Sequence, residues 1–368
     1  MKNSYFIQIT SFPLIKMKKI NEVELKDKDV LIRCDYNVPL SGSILSDAED
    51  DRIEFSLDTI KKALEKEANF ILLISHLGRP EGKVDERYSL KPVRTRLQEY
   101  LGYLGVEVVL IDTPEKIAEA RNNGAKIALL ENIRFWPEEQ NSDEEFAKKI
   151  AGDFDVYVNN AFPVSHRDHS SITKFPKFCA EKCIGNLFAK ELENLEKVKE
   201  NPTKPAVAVI GGSKIETKLA VIEKFAQNYD FVLVGGKTAN EALDRKIEFP
   251  ENVILPVDFS PVEKAAERLD IGEKTQEIFV EKISQAKTIV WNGPVGLFER
   301  EESSIGTRNI ISAIGKNVRA FRLIGGGETI SALNHFSSPK HFNYVSMSGG
   351  AMLDFLAEKE LPGIKALL

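Results

Sequence analysis

Short runs that are apolar on both faces recur along this chain, and stretches with helical spacing separate them. In the first half they occupy residues 30–33, 70–75, 108–111, 127–130 and 156–158. In the second half they occupy residues 206–210, 231–234, 253–255, 288–291, 321–324 and 344–345. The runs are rich in Val and Ile and end at Gly, Asn or Asp, which is typical of buried parallel strands with helical crossovers. The pattern predicts an α/β fold with two doubly wound, Rossmann-like parallel sheets.

The division into domains follows from length and from one polar helical segment. A chain of 368 residues exceeds one ordinary core and suits two domains. Leu192, Leu195 and Val198 lie at helical spacing within residues 188–202, and Asn201-Pro202 ends that run. We therefore expect an N-terminal domain over residues 1–185 and a C-terminal domain over residues 186–354, joined by a helix with a hinge.

Composition excludes several functional classes. The net charge of −6 argues against nucleic acid as a partner, and no apolar stretch approaches the ~20 residues that a membrane span needs. Cys34, Cys179 and Cys183 form no disulfide framework, which fits a reducing cytoplasm. Cys179 and Cys183 have the spacing of one helix face, where core packing is a better interpretation than metal binding. The first sixteen residues make a poor signal peptide, and Met17 is an alternative start.

Basic and polar residues follow the strands of the first half. They are Arg33, Asp35, Asn37, Arg52, His76, Arg79, Arg134, and the run His166-Arg167-Asp168-His169. Guanidinium groups bind carboxylate or phosphate oxygens in pairs and stay charged at physiological pH. The set predicts a pocket for a small substrate with several negative charges. Taken singly, His76 and His169 are better explained as structural histidines than as functional ones, and Arg33 is consistent with a buried scaffold partner of a carboxylate.

Glycine-rich turns follow the strands of the second half instead. They are Gly211-Gly212-Ser213-Lys214, Gly235-Gly236-Lys237-Thr238, Asn292-Gly293-Pro294-Val295-Gly296, Gly325-Gly326-Gly327-Glu328-Thr329 and Ser348-Gly349-Gly350. Glycine lets backbone N–H groups approach phosphate oxygens, and a helix that begins there adds its positive end. Gly236-Lys237-Thr238 is not a P-loop, because that motif would place its first glycine at Phe231, and no dinucleotide fingerprint is present. The turns favour a phosphate-binding domain, with Lys214 and Lys218 as cationic contacts.

Five long motifs together resemble the phosphoglycerate kinase family over nearly the whole chain. They are the segments 30–39, 75–80, 131–135, 156–162 and 291–299, which include Arg33-Cys34-Asp35-Tyr36-Asn37, Ser75-His76-Leu77-Gly78-Arg79-Pro80 and Trp291-Asn292-Gly293-Pro294. The resemblance implies reversible phosphoryl transfer between ATP and 3-phosphoglycerate, with Mg²⁺, in a cytoplasmic monomer. It also implies that the tail, residues 355–368, packs back on the N-terminal domain.

The resemblance assigns roles by position. Substrate binding falls to Asp35, Asn37, Arg52, His76, Arg79, Arg134 and Arg167. Nucleotide binding falls to Gly212, Ser213, Lys214, Lys218, Gly236, Asn292, Pro294, Glu299, Gly326, Gly327, Glu328 and Thr329. The implied catalytic groups are Arg52, Lys214, Gly327 and Gly350, and Glu328 is the implied magnesium ligand.

This chain departs from the family pattern at several positions, mostly on the nucleotide side. Glu328 stands for an aspartate, while Lys237, Arg268, Ser348 and Pro163 stand for glycines. We expect these changes to affect the rate, the nucleotide preference and the metal geometry more than the acceptor. The alternative hypothesis is a catalytically weakened paralogue that binds phosphoglycerate-like or nucleotide ligands as a sensor or interaction protein.

Overall fold

The computed structural model describes residues 17–40, 45 and 50–368, without the side chains of residues 263–265. The expectations about a signal peptide and an alternative start concern residues that lie outside this range, apart from Met17 itself. Within it, the chain forms two compact units. Unit 1 holds residues up to Asn160, His169–Asn186 and Ile364–Leu368, and unit 2 holds Ala161–Asp168 and Leu187–Gly363.

Unit 1 is built on a six-stranded parallel sheet in the order β3-β4-β2-β1-β5-β6. Its strands are β1 (Asp29–Arg33), β2 (Phe70–Ile74), β3 (Val108–Ile111), β4 (Ile127–Leu130), β5 (Val156–Asn159) and β6 (Glu181–Ile184). Its helices are α1 (Asp51–Glu65), α2 (Lys91–Leu101), α3 (Ile117–Asn122), α4 (Pro137–Gln140) and α5 (Glu144–Ala151). The chain leaves β1 toward β2 on one side and returns to β5 on the other, so the carboxyl ends of β1 and β5 flank the crevice where such sheets bind ligands.

Unit 2 repeats this design with the order β14-β13-β12-β7-β8-β9. Its strands are β7 (Ala206–Ile210), β8 (Phe231–Val234), β9 (Val253–Ile254), β10 (Phe259–Ser260), β11 (Asp270–Ile271), β12 (Thr288–Asn292), β13 (Phe321–Gly325) and β14 (Tyr344–Ser346), of which β10 and β11 form a separate antiparallel pair. Its helices are α7 (Leu219–Asn228), α8 (Gly236–Asp244), α9 (Glu273–Gln285), α10 (Ile305–Lys316), α11 (Gly327–Phe336) and α12 (Gly349–Leu356). The crevice of this sheet lies at the carboxyl ends of β7 and β12.

Each unit has its own apolar core. In unit 1, side chains of β1 and β2 such as Ile32 and Leu73 pack with Ile60 of α1 and are fully buried. In unit 2, Val209, Trp291 and Phe279 do the same. Strands that are buried on both faces need apolar residues in succession, which explains the unbroken Val and Ile runs of the sequence.

The predicted strands are all present, with ends that differ by at most a residue or two. The sequence pattern missed three of the described strands: β6, because Glu181 and Lys182 at this edge are polar and half-buried, and β10 and β11, which are only two residues long. The shared helix face considered for Cys179 and Cys183 is not formed, since Cys183 lies in β6, where it pairs with Val158. Both cysteines are buried free thiols, as expected for core packing.

The predicted linking helix is α6 (Asn186–Lys199), which begins two residues earlier than the pattern indicated. A short helix, α13 (Pro362–Lys365), ends the chain, and Lys182 donates a hydrogen bond to the carbonyl oxygen of Ala366 at 3.0 Å. No helix among the described residues is long and apolar enough to cross a membrane.

Candidate active site

The centre of the basic cluster in unit 1 consists of Asp35, Arg52 and His76. Asp35 follows β1, His76 follows β2, and the two strands pair in parallel, so both side chains lie at one edge of the sheet. The Arg52 guanidinium, in the first turn of α1, donates a hydrogen bond to the Asp35 carboxylate. The His76 Nδ1 lies 3.8 Å from the Asp35 Oδ1. The carboxylate therefore positions an arginine that retains about a fifth of its side-chain exposure.

His76 is a neutral member of this cluster. Burial lowers the pKa of its imidazole well below the usual value, and the charges of Arg33, Arg134 and Arg52 lower it further. A neutral ring offers one donor and one acceptor rather than a charge. His76 therefore suits a positioning hydrogen bond, whereas the arginines supply the positive field.

The loop after β2 carries the next group of predicted residues. The Asn37 side chain accepts a hydrogen bond from the Gly78 amide at 2.9 Å, and Arg134 donates one to the Gly78 carbonyl at 2.8 Å. Arg79 is exposed beside them. A cavity of about 350 Å³ adjoins this loop; it is lined by Asn37, Val38, Leu40, Leu77, Gly78, Arg87 and Tyr88. Within the part of the chain that the structure describes, the exposed Arg79 side chain has no hydrogen-bond or ion-pair partner, so it can meet an anion.

Arg33 belongs to the scaffold, as one of the two interpretations of the sequence expected. It is fully buried, and its Nε donates to the Ser171 hydroxyl at 2.9 Å. Ser171 in turn donates to the buried Glu139 carboxylate at 2.6 Å. Neither Ser171 nor Glu139 was among the candidate residues, because an acidic residue in a four-residue helix gives no sequence signal for burial. This network anchors β1 beneath the cluster.

Arg167 differs from the other predicted substrate residues in the unit to which its segment belongs. It is exposed, and its segment, Ala161–Asp168, groups with unit 2 rather than with the other predicted substrate residues. Its amide donates to the Val164 carbonyl at 2.9 Å, which closes the turn that follows Pro163. The contribution of Arg167 to substrate binding stays a prediction.

The crevice of unit 2 is formed by two glycine turns in close contact. A Cβ atom on Gly293 would lie 2.2 Å from the Gly211 backbone, and Gly293 has a φ of +95°. The Gly212 amide donates to the Pro294 carbonyl at 2.9 Å. Only glycine permits this approach of two backbones. The turns after β7 and β12 therefore form one surface on which further N–H groups and side chains are arranged.

Lys218 lies beneath this surface, whereas Lys214 is exposed at its rim. The Lys218 ammonium donates a hydrogen bond to the Asn292 side-chain oxygen. Burial lowers the pKa of Lys218 to about 8, an effect that the nearby Glu328 carboxylate partly offsets. A partly buried ammonium that donates to a neutral amide gains from an anion, so the position suits phosphate oxygens.

The turn after β13 completes the surface. Gly326 has a φ of +102°, and α11 begins at Gly327. The buried Thr329 hydroxyl accepts a hydrogen bond from the Gly293 amide at 2.6 Å, which ties this turn to the previous one. Helix α11 thus directs its N-terminus, with the positive end of its dipole, to the place where the glycine turns meet.

A cavity of about 510 Å³ extends from these turns. It is lined by Gly212, Ser213, Gly236, Lys237, Asn240, Glu241, Asp244, Ala266, Glu267, Arg268, Leu269, Pro294, Gly296, Leu297, Phe298, Glu299 and Glu328. Six of the residues predicted to bind nucleotide are therefore brought to one cavity. Its volume falls in the range of small-molecule sites.

The departures from the family pattern differ in their structural effect. Ser348 precedes α12 with a φ of −102°, so this position does not require a glycine. Lys237 is exposed in the first turn of α8, and Pro163 fits within a short 3₁₀ turn. Arg268 differs from these, because its φ is +50°. Gly350, in the first turn of α12, lies near His166: a Cβ atom there would be 3.7 Å from the His166 Nε2.

The donor set suits a magnesium ion that a nucleotide carries. Among the described residues, no three His, Cys, Asp or Glu side chains group as a metal site. Glu328 is an exposed carboxylate in the first turn of α11, and its Oε2 would lie 3.2 Å from a Cβ atom on Gly212. Magnesium at such sites is held by one or two carboxylates together with substrate phosphates. Glu328 fits that role, whereas a cage made only of protein ligands does not.

The basic cluster on one doubly wound unit and the glycine turns on the other define a phosphotransferase. A family model described as phosphoglycerate kinase matches residues 20–248 and 242–359. A phosphoglycerate kinase of Acidobacterium capsulatum is 36% identical over 95% of this chain and 98% of its own length, and one of Desulforapulum autotrophicum is 37% identical over 95% and 100%. The chain belongs to the phosphoglycerate kinase family.

Solved structures agree with this assignment. A phosphoglycerate kinase structure from Coxiella burnetii matches with a TM-score of 0.80 and 32% identity, over 95% of this chain and 98% of that one. One from Pyrococcus horikoshii OT3 matches with a TM-score of 0.79 and 30% identity over the same shares. The predicted fold class and enzyme class are confirmed, and the relatives give no support to the alternative of a weakened sensor protein.

Proposed function

We propose that this chain transfers a phosphoryl group reversibly between ATP and the carboxylate of 3-phosphoglycerate, giving ADP and 1,3-bisphosphoglycerate. The observation that carries the proposal is the cluster of Asp35, Arg52 and His76 at the carboxyl ends of β1 and β2. A protein that bound only nucleotide would not need an arginine held in this way on a separate unit. The glycine turns of unit 2 bind the other substrate, ATP.

Recognition of the acceptor falls to the exposed and half-buried cations of unit 1. Arg79 and Arg134 offer guanidinium forks to the phosphate and carboxylate of a three-carbon acid, and we propose that Arg167, from the segment that groups with unit 2, adds a third. His76 is neutral, since burial and the arginines lower its pKa, and it supplies a hydrogen bond. We place Arg52 nearest the transferring group, because Asp35 fixes its guanidinium.

Recognition of the donor falls to unit 2. Lys218 and Lys214 contact phosphate oxygens, and the starts of α11 and α12 present backbone N–H groups and helix dipoles to them. Glu299, exposed on the cavity wall, suits the ribose hydroxyls. We assign Gly327 and Gly350 as backbone contacts to the group in transfer.

The transfer requires no protein nucleophile. A carboxylate oxygen of the acceptor forms the new bond to the γ-phosphorus, and the bond from that phosphorus to the β,γ-bridging oxygen breaks, leaving its electron pair on ADP. Catalysis then depends on alignment and on charge compensation by Arg52 and Lys214. Because donor and acceptor bind to separate units, we propose that a hinge movement at α6 brings them together and excludes water from the acyl phosphate.

The proposed metal is Mg²⁺ bound to the nucleotide, with Glu328 as the protein carboxylate that holds it. Bound there, it neutralises charge on the β- and γ-phosphates. We further propose that the enzyme is a cytoplasmic monomer that acts in glycolysis, with small-molecule partners only and no nucleic acid.

A coupled assay with ATP, Mg²⁺ and 3-phosphoglycerate tests the function, and the wild type should turn over at a rate that depends on all three. Arg52→Ala should reduce kcat by roughly 10³-fold while leaving the Kd for ADP within about twofold of the wild type. Arg319→Ala is the matched control, because Arg319 is an exposed arginine outside both candidate sites. Background turnover by a wild type that still binds 3-phosphoglycerate would support the sensor alternative, and near-normal turnover by Arg52→Ala would remove Arg52 from its role.

A further inference from the structure

Arg268 has a backbone conformation that normally favours glycine. Its φ is +50°, in the left-handed region, which costs an L-residue free energy. It lies two residues before the start of β11 and lines the cavity of unit 2. Six other described non-glycine residues have a similar φ, so the contacts of the Arg268 side chain, and not its backbone alone, have to show what it does.

Asp244 and Phe259 contact the Arg268 guanidinium, and Asn240 holds the Arg268 backbone carbonyl. Its guanidinium donates to the Asp244 carboxylate at 2.7 Å, while the Asn240 side chain donates to the Arg268 carbonyl at 2.9 Å. The guanidinium carbon lies 5.5 Å from the centre of the Phe259 ring. Arg268 lines the cavity, whereas Phe259 does not. The group is therefore preorganised rather than free in solvent.

The cavity divides into two regions of different chemistry. Gly212, Gly236 and Glu328 form the region of glycine turns and helix starts, which suits phosphates. Arg268, Leu269, Leu297 and Phe298 add three apolar side chains and a planar cation to the lining, beside the acidic Glu241, Asp244 and Glu267. The Leu297 amide donates to the Leu269 carbonyl at 2.9 Å. A nucleotide with its phosphates on the turns would place its base in this second region.

We propose that the Arg268 guanidinium is a platform on which the base of a purine nucleotide stacks. This inference rests on the proposed function, because it takes the cavity to hold a nucleotide. Guanidinium is planar and weakly hydrated, and it stacks on aromatic rings while its edge is engaged in hydrogen bonds. Asp244 occupies that edge, and a purine presents a larger π-surface than a pyrimidine. Arg268 therefore contributes affinity and purine preference but no phosphate contact.

Calorimetric titration of three ligands with matched variants tests the platform. Arg268→Met keeps the length of the side chain but removes the charged plane, and it should weaken ADP binding by roughly 5- to 30-fold. Binding of inorganic tripolyphosphate, which has no base, should stay within twofold of the wild type. The preference for ADP over CDP should shrink in Arg268→Met. Arg245→Met is the control, because Arg245 is an exposed arginine of the same unit that pairs with Glu216.

Arg268→Gly adds a readout that a structural role would not give. Relief of the left-handed backbone should leave the melting temperature equal to or above that of the wild type, while ADP affinity falls as in Arg268→Met. Equal ADP affinity in the wild type and Arg268→Met would overturn the platform, as would a parallel loss of tripolyphosphate binding. A wild type that binds no ADP would overturn the proposed function as well, so the two failures are distinguishable.

Discussion

Asp270, at the start of β11, is a carboxylate whose charge is opposed by its burial. Its side chain accepts hydrogen bonds from the amides of Gly306 at 2.7 Å and Ile271 at 2.9 Å and is 2% exposed. Burial nevertheless raises its pKa to about 7. The folded state thus holds this proton more tightly than the unfolded state does. The stabilisation of the folded state by the proton is complete below about pH 4 and is lost as pH rises through 7.

We expect this group to remove about 2–4 kcal/mol of unfolding free energy between pH 4 and pH 8. Urea unfolding of the wild type and Asp270→Asn at pH 5 and pH 8 measures it. At pH 5 the wild type should be the more stable protein, since a protonated acid keeps both acceptors, and at pH 8 the difference should shrink or reverse. A difference that is the same at both pH values would contradict this prediction.

Lys218 should give nucleotide binding a pH dependence of its own. Burial lowers its pKa to about 8, so the ammonium is largely charged at pH 7 and largely neutral at pH 9. We expect ADP affinity to fall by up to roughly tenfold over this interval, the ratio of the charged fractions. Calorimetry at pH 7, 8 and 9 measures the fall, and Lys218→Arg, which stays charged, should flatten the profile. An unchanged slope in Lys218→Arg would assign the titration to another group.

Among the strands and helices, the contact of the β7 and β12 turns is the feature on which the donor site depends. Gly293→Ala would place a methyl group 2.2 Å from the Gly211 backbone at a φ of +95°, so the two turns must separate. We expect a loss of about 2–4 kcal/mol of unfolding free energy and at least tenfold weaker ADP binding.

The control for this change is Gly315→Ala in α10. A Cβ atom there meets nothing within 4 Å, and alanine should stabilise the helix by about 0.5–1 kcal/mol with no effect on ADP. Urea unfolding and ADP titration of both variants give the comparison. If Gly293→Ala behaved like Gly315→Ala, the close approach of the turns would not be needed.

The sequence predicts elements with a strong local pattern and fails where tertiary context decides. Doubly apolar runs identified eleven strands, whereas the polar edge strand β6 and the two-residue strands β10 and β11 gave no such signal. Candidate residues at strand ends could be found from their position alone. The pairing of Arg52 with Asp35, the neutral state of His76 and the φ of Arg268 could not, because each depends on residues far apart in the chain.

For the protein as a whole, the two separate cores predict that each substrate stabilises its own unit. By mass action, a ligand that binds a native site raises the free energy of opening that site by about 2.7 kcal/mol at a hundredfold excess over Kd. Amide exchange through local opening therefore reports where the ligand binds. Saturating 3-phosphoglycerate should slow amide exchange at the ends of β1 and β2 in unit 1. Saturating ADP should slow it in the turns after β7, β12 and β13 in unit 2.

Hydrogen exchange followed by peptide mass spectrometry resolves these segments. Arg79→Ala, which removes an exposed acceptor-binding guanidinium of unit 1, should weaken the protection of unit 1 by 3-phosphoglycerate and keep the protection of unit 2 by ADP. Lys218→Met should do the reverse. Protection of both units to the same extent by either ligand alone would contradict the assignment of acceptor and donor to separate units. Protection of the first unit by ADP alone would exchange the two assignments.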